Sequence, residues 1–299
     1  MRTNLLIAVL VVAVFGAAWG LKRLTVRPAA PPPAAAAVVR RIISLAPSIT
    51  ETIYLLGLEG KLVGDTTYCV QPPAARAIAK VGGYATPDFE KIVMLKPDLV
   101  IMMTEHRKAG LDRKFDELGL PTLFVATRTT AGILDSIRQI GRSCGAADRA
   151  EALCRELAAG TEAVRARPAG RAPRVLITVG KNMGSAGLKT AFAAGKDTYY
   201  DELLTLAGGV NACPASVLEY VEMGGEAILL AAPDLVIDIV PDATPQEAAA
   251  VVATWRELPA FKARVAVLCG EYVARPGPSF VKLLGDIRGE IEAWNHSSP

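Results

Sequence analysis

The sequence predicts an α/β fold: two Rossmann-like lobes with mainly parallel sheets, joined by a single long α-helix. Three observations predict it. First, a segment occurs twice. Residues 90–101 read Glu-Lys-Ile-Val-Met-Leu-Lys-Pro-Asp-Leu-Val-Ile, and residues 226–237 read Glu-Ala-Ile-Leu-Leu-Ala-Ala-Pro-Asp-Leu-Val-Ile. Seven of the twelve positions are identical, at a constant offset of 136. Each copy reads as a short helix opened by Glu, broken at Pro97 or Pro233, then a buried strand. One repetition at this distance implies two like lobes, whereas a solenoid repeats every 20 to 50 residues or so. Second, residues 146–167 contain no Pro and one Gly, and are rich in Ala, Leu, Glu and Arg. Leu153, Leu157 and Val164 share one face there, and about 20 residues make a strut of roughly 30 Å. Third, short apolar runs alternate with helical stretches in the order β-α-β-α-β-α-β, which calls for parallel pairing.

In chain order, residues 5–21 are almost wholly apolar, with Arg2 before them and Lys22, Arg23 and Arg27 after. Residues 1–24 read as a signal peptide or membrane anchor, and the Pro/Ala-rich residues 25–39 as a stiff linker. The basic flank after the apolar run would hold an uncleaved helix's domain inside, yet the character of the domain beyond the linker favours export. No Cys comes directly after the apolar run, so a lipid anchor is not supported. The N-terminal lobe spans residues 40–145. Residues 41–46 form a first strand, Ser48 and Glu51 a capping box for a helix over 49–56, and Gly57 its stop. Residues 62–64 form a second strand leading into the Asp65–Cys69 loop. Thr86 caps a helix with Pro87 at its first position. The first repeat comes next, then a strand-end loop carrying Met103 and His106, a helix over 111–118 and a strand over 121–126. The connecting helix takes 146–168 and the C-terminal lobe 169–299. In that lobe residues 174–179 echo 41–46, residues 199–207 form a helix, and the second repeat comes after it. Residues 263–269 form the last strand, residues 270–278 a loop, and residues 280–294 an amphipathic helix.

The totals narrow the function. The chain carries 33 bases and 30 acids, but six bases precede Ile42, leaving 27 against all 30 acids in the rest. That balance excludes a nucleic-acid-binding face. Five cysteines show no zinc spacing and read as small buried residues. Two histidines leave little room for a catalytic triad, and no G-x-S-x-G, phosphate loop or G-x-G-x-x-G after a strand is present. Gly195-Lys196-Asp197-Thr198 lacks the leading glycine a phosphate loop needs. Asp98 and Asp234 read as turn-stabilising residues. What remains is a set of large side chains assigned to strand-end loops, where open α/β sheets bind ligands: Tyr68, Tyr84, Met103, Phe192, Tyr220, Tyr272 and Arg275. Five of the chain's 17 aromatics fall in that set, which points to a large, flat or greasy ligand.

Ile43-Ser44-Leu45-Ala46-Pro47-Ser48-Ile49-Thr50-Glu51, Val81-Gly82-Gly83 and the first repeat, on two lobes joined by one long helix, resemble the helical-backbone (class III) substrate-binding proteins of ABC importers, which take up cobalamin, ferric siderophores and heme. The resemblance covers residues 40–295. It implies a monomeric periplasmic protein, secreted or tethered by its N-terminal helix, that needs no cofactor and hands a corrinoid or iron chelate to a membrane permease and its ATPase. It places Tyr68, Tyr84, Phe192, Tyr220, Tyr272 and Arg275 at aromatic or arginine ligand contacts, and Met103 where the family's cobalamin binder has a further aromatic. Glu90 and Glu226 fall where each lobe offers a carboxylate to permease arginines. Tyr in place of Trp permits corrin stacking and Tyr–iron ligation alike. Cys69 and Cys213, near the expected cleft, lie outside the pattern. Two other readings stay open: a two-lobed enzyme using Tyr68, His106 and Glu271, or an anchored ligand sensor.

Overall fold

The structure is a computed structural model that describes residues 39–165, 171–184 and 187–297. The expected leader over 1–24, and all of the linker but its last residue, lie outside the described residues. The first sheet contains β1 (Ile42–Ser44), β2 (Leu62–Asp65), β3 (Leu99–Met103) and β4 (Thr122–Val125), in the order β2-β1-β3-β4, with every pair parallel. Its helices are α1 (Pro47–Leu55), α2 (Phe89–Met94), α3 (Glu105–Lys108), α4 (Leu111–Glu117) and α5 (Thr130–Cys144).

Two expected caps are replaced. Ala46, extended at φ −154°, is the N-cap of α1 with Pro47 next, and no side chain caps this end. Pro at the first helical position needs no cap for its missing N–H, and Glu51 is thereby left for other work. On α2 the cap is Asp88, whose carboxylate accepts from Lys91 N at 3.1 Å. Thr86 and Pro87 instead pair back to Gly82 and Gly83.

The two repeats are structural twins. Ile92 and Ile228 are fully buried, and the residues before the prolines, Lys96 and Ala232, take the left-handed backbone at φ 46° and 44°. Arg41 donates to Leu95 O at 2.6 Å, and Arg174 to Ala231 O at 2.8 Å. Asp98 accepts from Arg41 N at 2.9 Å and Asp234 from Arg174 N at 2.8 Å. In each lobe, therefore, an Arg satisfies the orphan carbonyls of the helix end, and an Asp ties the start of the first strand to the next one.

From α5 the chain turns at Gly145 into α6 (Ala147–Val164), about 27 Å long at 1.5 Å per residue. It packs on α5 of the first lobe and on α10 (Phe280–Ser297) of the second. A Cβ on Gly141 would lie 2.4 Å from that of Ala150, and one on Gly160 would lie 2.9 Å from Val281, so both glycines set the close approach of these helices.

The second sheet keeps the expected parallel strands and adds two antiparallel ones. Its order is β10-β9-β5-β6-β8, from β5 (Arg174–Gly184), β6 (Gly187–Ala194), β8 (Tyr220–Gly224), β9 (Leu235–Ile239) and β10 (Arg264–Leu268), with β7 (Val210–Asn211) beside the start of β5. Strands β5, β9 and β10 are parallel, but β6 runs antiparallel to β5 and β8 antiparallel to β6, so this sheet is mixed. Strand β5 overruns the expected end at 179 and returns as β6, and its glycines interrupt the apolar alternation that marks a strand. The helices here are α7 (Tyr199–Ala207), α8 (Gly225–Ala231), α9 (Pro245–Arg256) and α10.

One apolar cluster is continuous across both lobes. It joins Ile42, Ile101 and Val125 of the first sheet to Ile137 of α5, Ala150 of α6, Leu203 of α7, Leu283 of α10, and Val175 and Ile237 of the second sheet. Cys69, Cys144, Cys154 and Cys213 are buried, Cys269 is partly exposed, and all five are unpaired. Burial pushes every thiol up, Cys144 to about 11. A chromogenic disulfide reagent at about pH 8 should therefore react with Cys269 at most in the native protein, and with all five after denaturation. Rapid native reaction of two or more would contradict this packing.

Candidate functional site

Between the two sheets lies a cleft of about 460 Å³, within the range of small-molecule sites. The first lobe walls it with Ala46, Pro47 and Ser48 after β1, Tyr68 after β2, Tyr84 in the loop before α2, Met103 and Glu105 at the end of β3, and Thr127 and Arg128 after β4. The second lobe contributes Asp197, Thr198 and Tyr199 before and in α7, Glu219 and Tyr220 at β8, and Ala274, Arg275 and Pro276 before α10. Apart from Tyr84, the first-lobe contributors sit at the carboxyl ends of parallel strands, where the next helix must turn away and leaves a crevice.

Local structure positions these side chains. His106 is buried with both nitrogens engaged: Met103 N donates to Nδ1 at 3.0 Å, and Nε2 donates to Tyr84 O at 2.9 Å. Its ring lies 4.3 Å from that of Tyr84. His106 therefore fixes Tyr84 and Met103 and has no nitrogen free for chemistry. The Tyr68 loop is clamped from below by Lys80, whose ammonium donates to Asp65 Oδ1 at 2.7 Å and to Cys69 O and Ala75 O at 2.9 Å each.

Burial pushes the Asp65 carboxyl up to about 6, against the pull of Lys80. A folded value above the unfolded one favours the protonated native state. The contribution is thus full below about pH 4 and lost as pH rises through about 6, by about 3 kcal/mol at most. Denaturant titrations between about pH 4 and 7 should show that loss in wild type and not in Asp65→Asn; identical slopes would refute it.

The floor and rim are ionic. Arg275 lies 3.4 Å from Glu51 of α1, with side chains 10% and 12% exposed, and Ser279 donates to the other Glu51 oxygen. The Arg275–Glu51 contact is ionic without hydrogen-bond alignment, and Arg275 Nη1 is buried with no hydrogen-bond partner. The hydroxyl of Tyr199 is likewise buried and unpartnered. At the rim, Arg128 pairs with Glu219 across the cleft. Beside them Glu202 of α7 accepts from Thr130 N of α5 at 2.8 Å, a third tie between the lobes. Burial raises the phenols of Tyr84, Tyr199 and Tyr220, with nearby carboxylates adding to it; Tyr84 reaches about 12.

Of the expected ligand residues, the structure brings Tyr68, Tyr84, Met103, Tyr220 and Arg275 to this cleft and leaves two outside its lining. Tyr272 sits in a 3₁₀ turn, with its hydroxyl on Asp286 and Lys282 Nζ 3.9 Å from its ring centre. Phe192 lies within β6, not in a loop; the alternation that buries Ala191 and Ala193 leaves Phe192 half-buried on the other face. Glu271 is also outside the lining, so Tyr68, His106 and Glu271 do not converge on an acid/base site. Sequence reasoning missed Glu105, Thr127, Arg128, Asp197, Tyr199 and Glu219. The strand-end rule that selected Met103 would have found Glu105 and Arg128 had it been applied to charged residues. Among the described residues no three His, Cys, Asp or Glu side chains gather in a metal-holding group.

The profile of the periplasmic binding protein family matches residues 42–271. An uncharacterised ABC transporter substrate-binding lipoprotein of Bacillus subtilis is 29% identical over 260 residues, covering 84% of this chain and 80% of its own. A vitamin B12-binding protein of Salmonella typhimurium is 28% identical over 66% of this chain and 71% of its own. Among solved structures, a periplasmic heme-binding protein of Pseudomonas aeruginosa superposes with a TM-score of 0.70 at 23% identity, over 85% of this chain and 92% of that one, and shares the fold. With its two α/β lobes, cleft and connecting helix, the chain belongs to the periplasmic binding protein family and is a substrate-binding protein, not an enzyme.

Proposed function

We propose that this protein captures a corrinoid in the interlobe cleft and delivers it to an ABC permease and its ATPase. The observation that carries the choice of ligand is the charge of the lining. Glu105, Asp197 and Glu219 stand against Arg128 and Arg275, three carboxylates to two guanidiniums, and both arginines are already paired with acids. Such a cleft repels a dicarboxylate porphyrin or an anionic ferric catecholate, and accepts a large ring whose periphery is neutral amides. Tyr68, Tyr84, Tyr199 and Tyr220 supply ring faces, and Arg275 Nη1 and the Tyr199 hydroxyl supply donors for amide carbonyls. The vitamin B12-binding relative supports the same class. Heme is the second reading, favoured by the four tyrosines. A phenol acting as its iron ligand would have to lose a proton that burial holds at Tyr84, Tyr199 and Tyr220, which leaves the exposed Tyr68 for that role.

The delivery half of the proposal rests on Glu90 and Glu226, exposed at equivalent places on the two lobes. One carboxylate per lobe registers the protein on a two-fold permease through charge-assisted pairs. In this reading residues 1–24 export or anchor the chain, 25–39 tether it, and lobes over 40–145 and 169–299 are held by the helix of 146–168 in the periplasm. Calorimetric titration with cyanocobalamin, hemin and ferric siderophores decides the ligand: cyanocobalamin should bind at micromolar concentration or tighter, at least about tenfold better than hemin. No heat with any of them would sink the capture reading.

A further inference from the structure

The twin helices α2 and α8 match in more than their carboxylates. Four residues after Glu90 stands Met94, 78% exposed, and four after Glu226 stands Leu230, 86% exposed. Beside them Val93 and Leu229 are 45% and 37% exposed. Positions i, i+3 and i+4 of a helix lie on one face, and i+2 lies opposite. Each helix therefore seats its Ile in the core and turns the same trio outward: one carboxylate and two aliphatic side chains. Other exposed positions of the unit have diverged in character between the copies, Lys91 against Ala227 and Lys96 against Ala232. The outward aliphatic pair changes in identity, Val-Met against Leu-Leu, yet stays apolar in both. Single exposed aliphatics are ordinary on a protein surface; the same pair beside the same acid in both lobes is a matched surface.

We infer that Val93, Met94, Leu229 and Leu230 form the apolar half of a two-point docking surface for a membrane permease built of two like halves, each presenting a basic side chain beside an apolar socket. The inference rests on the delivery reading above and adds an apolar contact to it. Charge complementarity supports the occupant. Among the described residues neither Glu90 nor Glu226 has an ion-pair partner, and the adjacent Lys91 is held by Asp88 at 3.2 Å. The carboxylates are thus free for a basic partner, and the apolar pair on the same face excludes water from that contact. Symmetry supports it too. A two-fold dimer of this chain would join one patch to its own copy, whereas two equal patches on one chain fit a single two-fold partner.

The test is binding of the purified protein to the ABC permease–ATPase of its own organism in nanodiscs, at low and high salt. Met94→Gln with Leu230→Gln should weaken association about tenfold at both salt concentrations, because apolar burial is not screened. Glu90→Ala with Glu226→Ala should weaken it chiefly at low salt. Thermal melts of both double variants should match wild type, since all four side chains are exposed. Full affinity in the apolar variant, with loss in the Glu variant, would overturn this inference and leave the delivery reading standing. No loss in either would remove the delivery reading and the inference with it. Sedimentation velocity should show a monomer; a dimer dissolved by Met94→Gln and Leu230→Gln would assign the surface to a second copy and overturn the inference.

Discussion

Replacing Arg275 with alanine should cost about 3–5 kcal/mol of stability and weaken ligand binding roughly a hundredfold. The stability loss comes from the group left behind. Glu51 is 12% exposed and would be left with only Ser279 donating to it, and a buried carboxylate stripped of its cation is among the costliest changes a fold can suffer. The binding loss comes from the cleft, where Nη1 is a buried donor with no partner of its own. A second variant separates the two effects. Glu51→Met with Arg275→Met removes both charges, so it should recover most of the stability in denaturant titrations and none of the affinity. If Arg275→Ala melts like wild type, the pair is not the buried interlobe contact described. If the double variant binds ligand normally, Arg275 is not a ligand contact.

The second large effect is expected outside the cleft. Glu90→Ala with Glu226→Ala should weaken permease association about a hundredfold at low ionic strength, with less effect as salt rises. Neither residue lines the cleft, so ligand affinity should remain within about twofold of wild type. Either single variant should retain half of the contact and lose roughly tenfold. Surface plasmon resonance against the reconstituted permease reads the first quantity and calorimetry the second. A change in ligand affinity in the double variant would show that the carboxylates serve the cleft instead.

The features that could be read from the chain alone divide along physical lines. The repeat was legible because Pro97 and Pro233 end a helix whatever surrounds them, and Leu-Val-Ile after each marks a strand buried on both faces. The Arg and Asp that brace each repeat were half legible. The echo of 174–179 with 41–46 was visible, but its reason is a contact across more than fifty residues of sequence. Strands β6 and β8 were missed because Gly180, Gly184, Gly187 and Gly195 mimic loops, and that cost both the mixed sheet and the place of Phe192. Helices α5 and α9 carried signals that went unused: Thr129 caps the one, with Gly145 at its end, and Thr244-Pro245 with Glu247 makes a capping box on the other. In the site, selection by large side chains at strand ends found Tyr68, Tyr84, Met103, Tyr220 and Arg275. It overlooked the acids and Arg128 that line the same cleft. Glu51, assigned to a helix cap, is the clearest case of a local rule displaced by a partner from the other lobe.

A cleft with an acidic lining should hold a neutral-sided corrin ring in preference to a dicarboxylate porphyrin. The direct test mixes the protein with equimolar cyanocobalamin and hemin, passes it through a desalting column and records its visible spectrum. About one corrinoid per chain should be retained with little heme, and the corrinoid should be lost in Arg275→Ala. Retention of heme in place of the corrinoid, or of neither, would contradict this assignment.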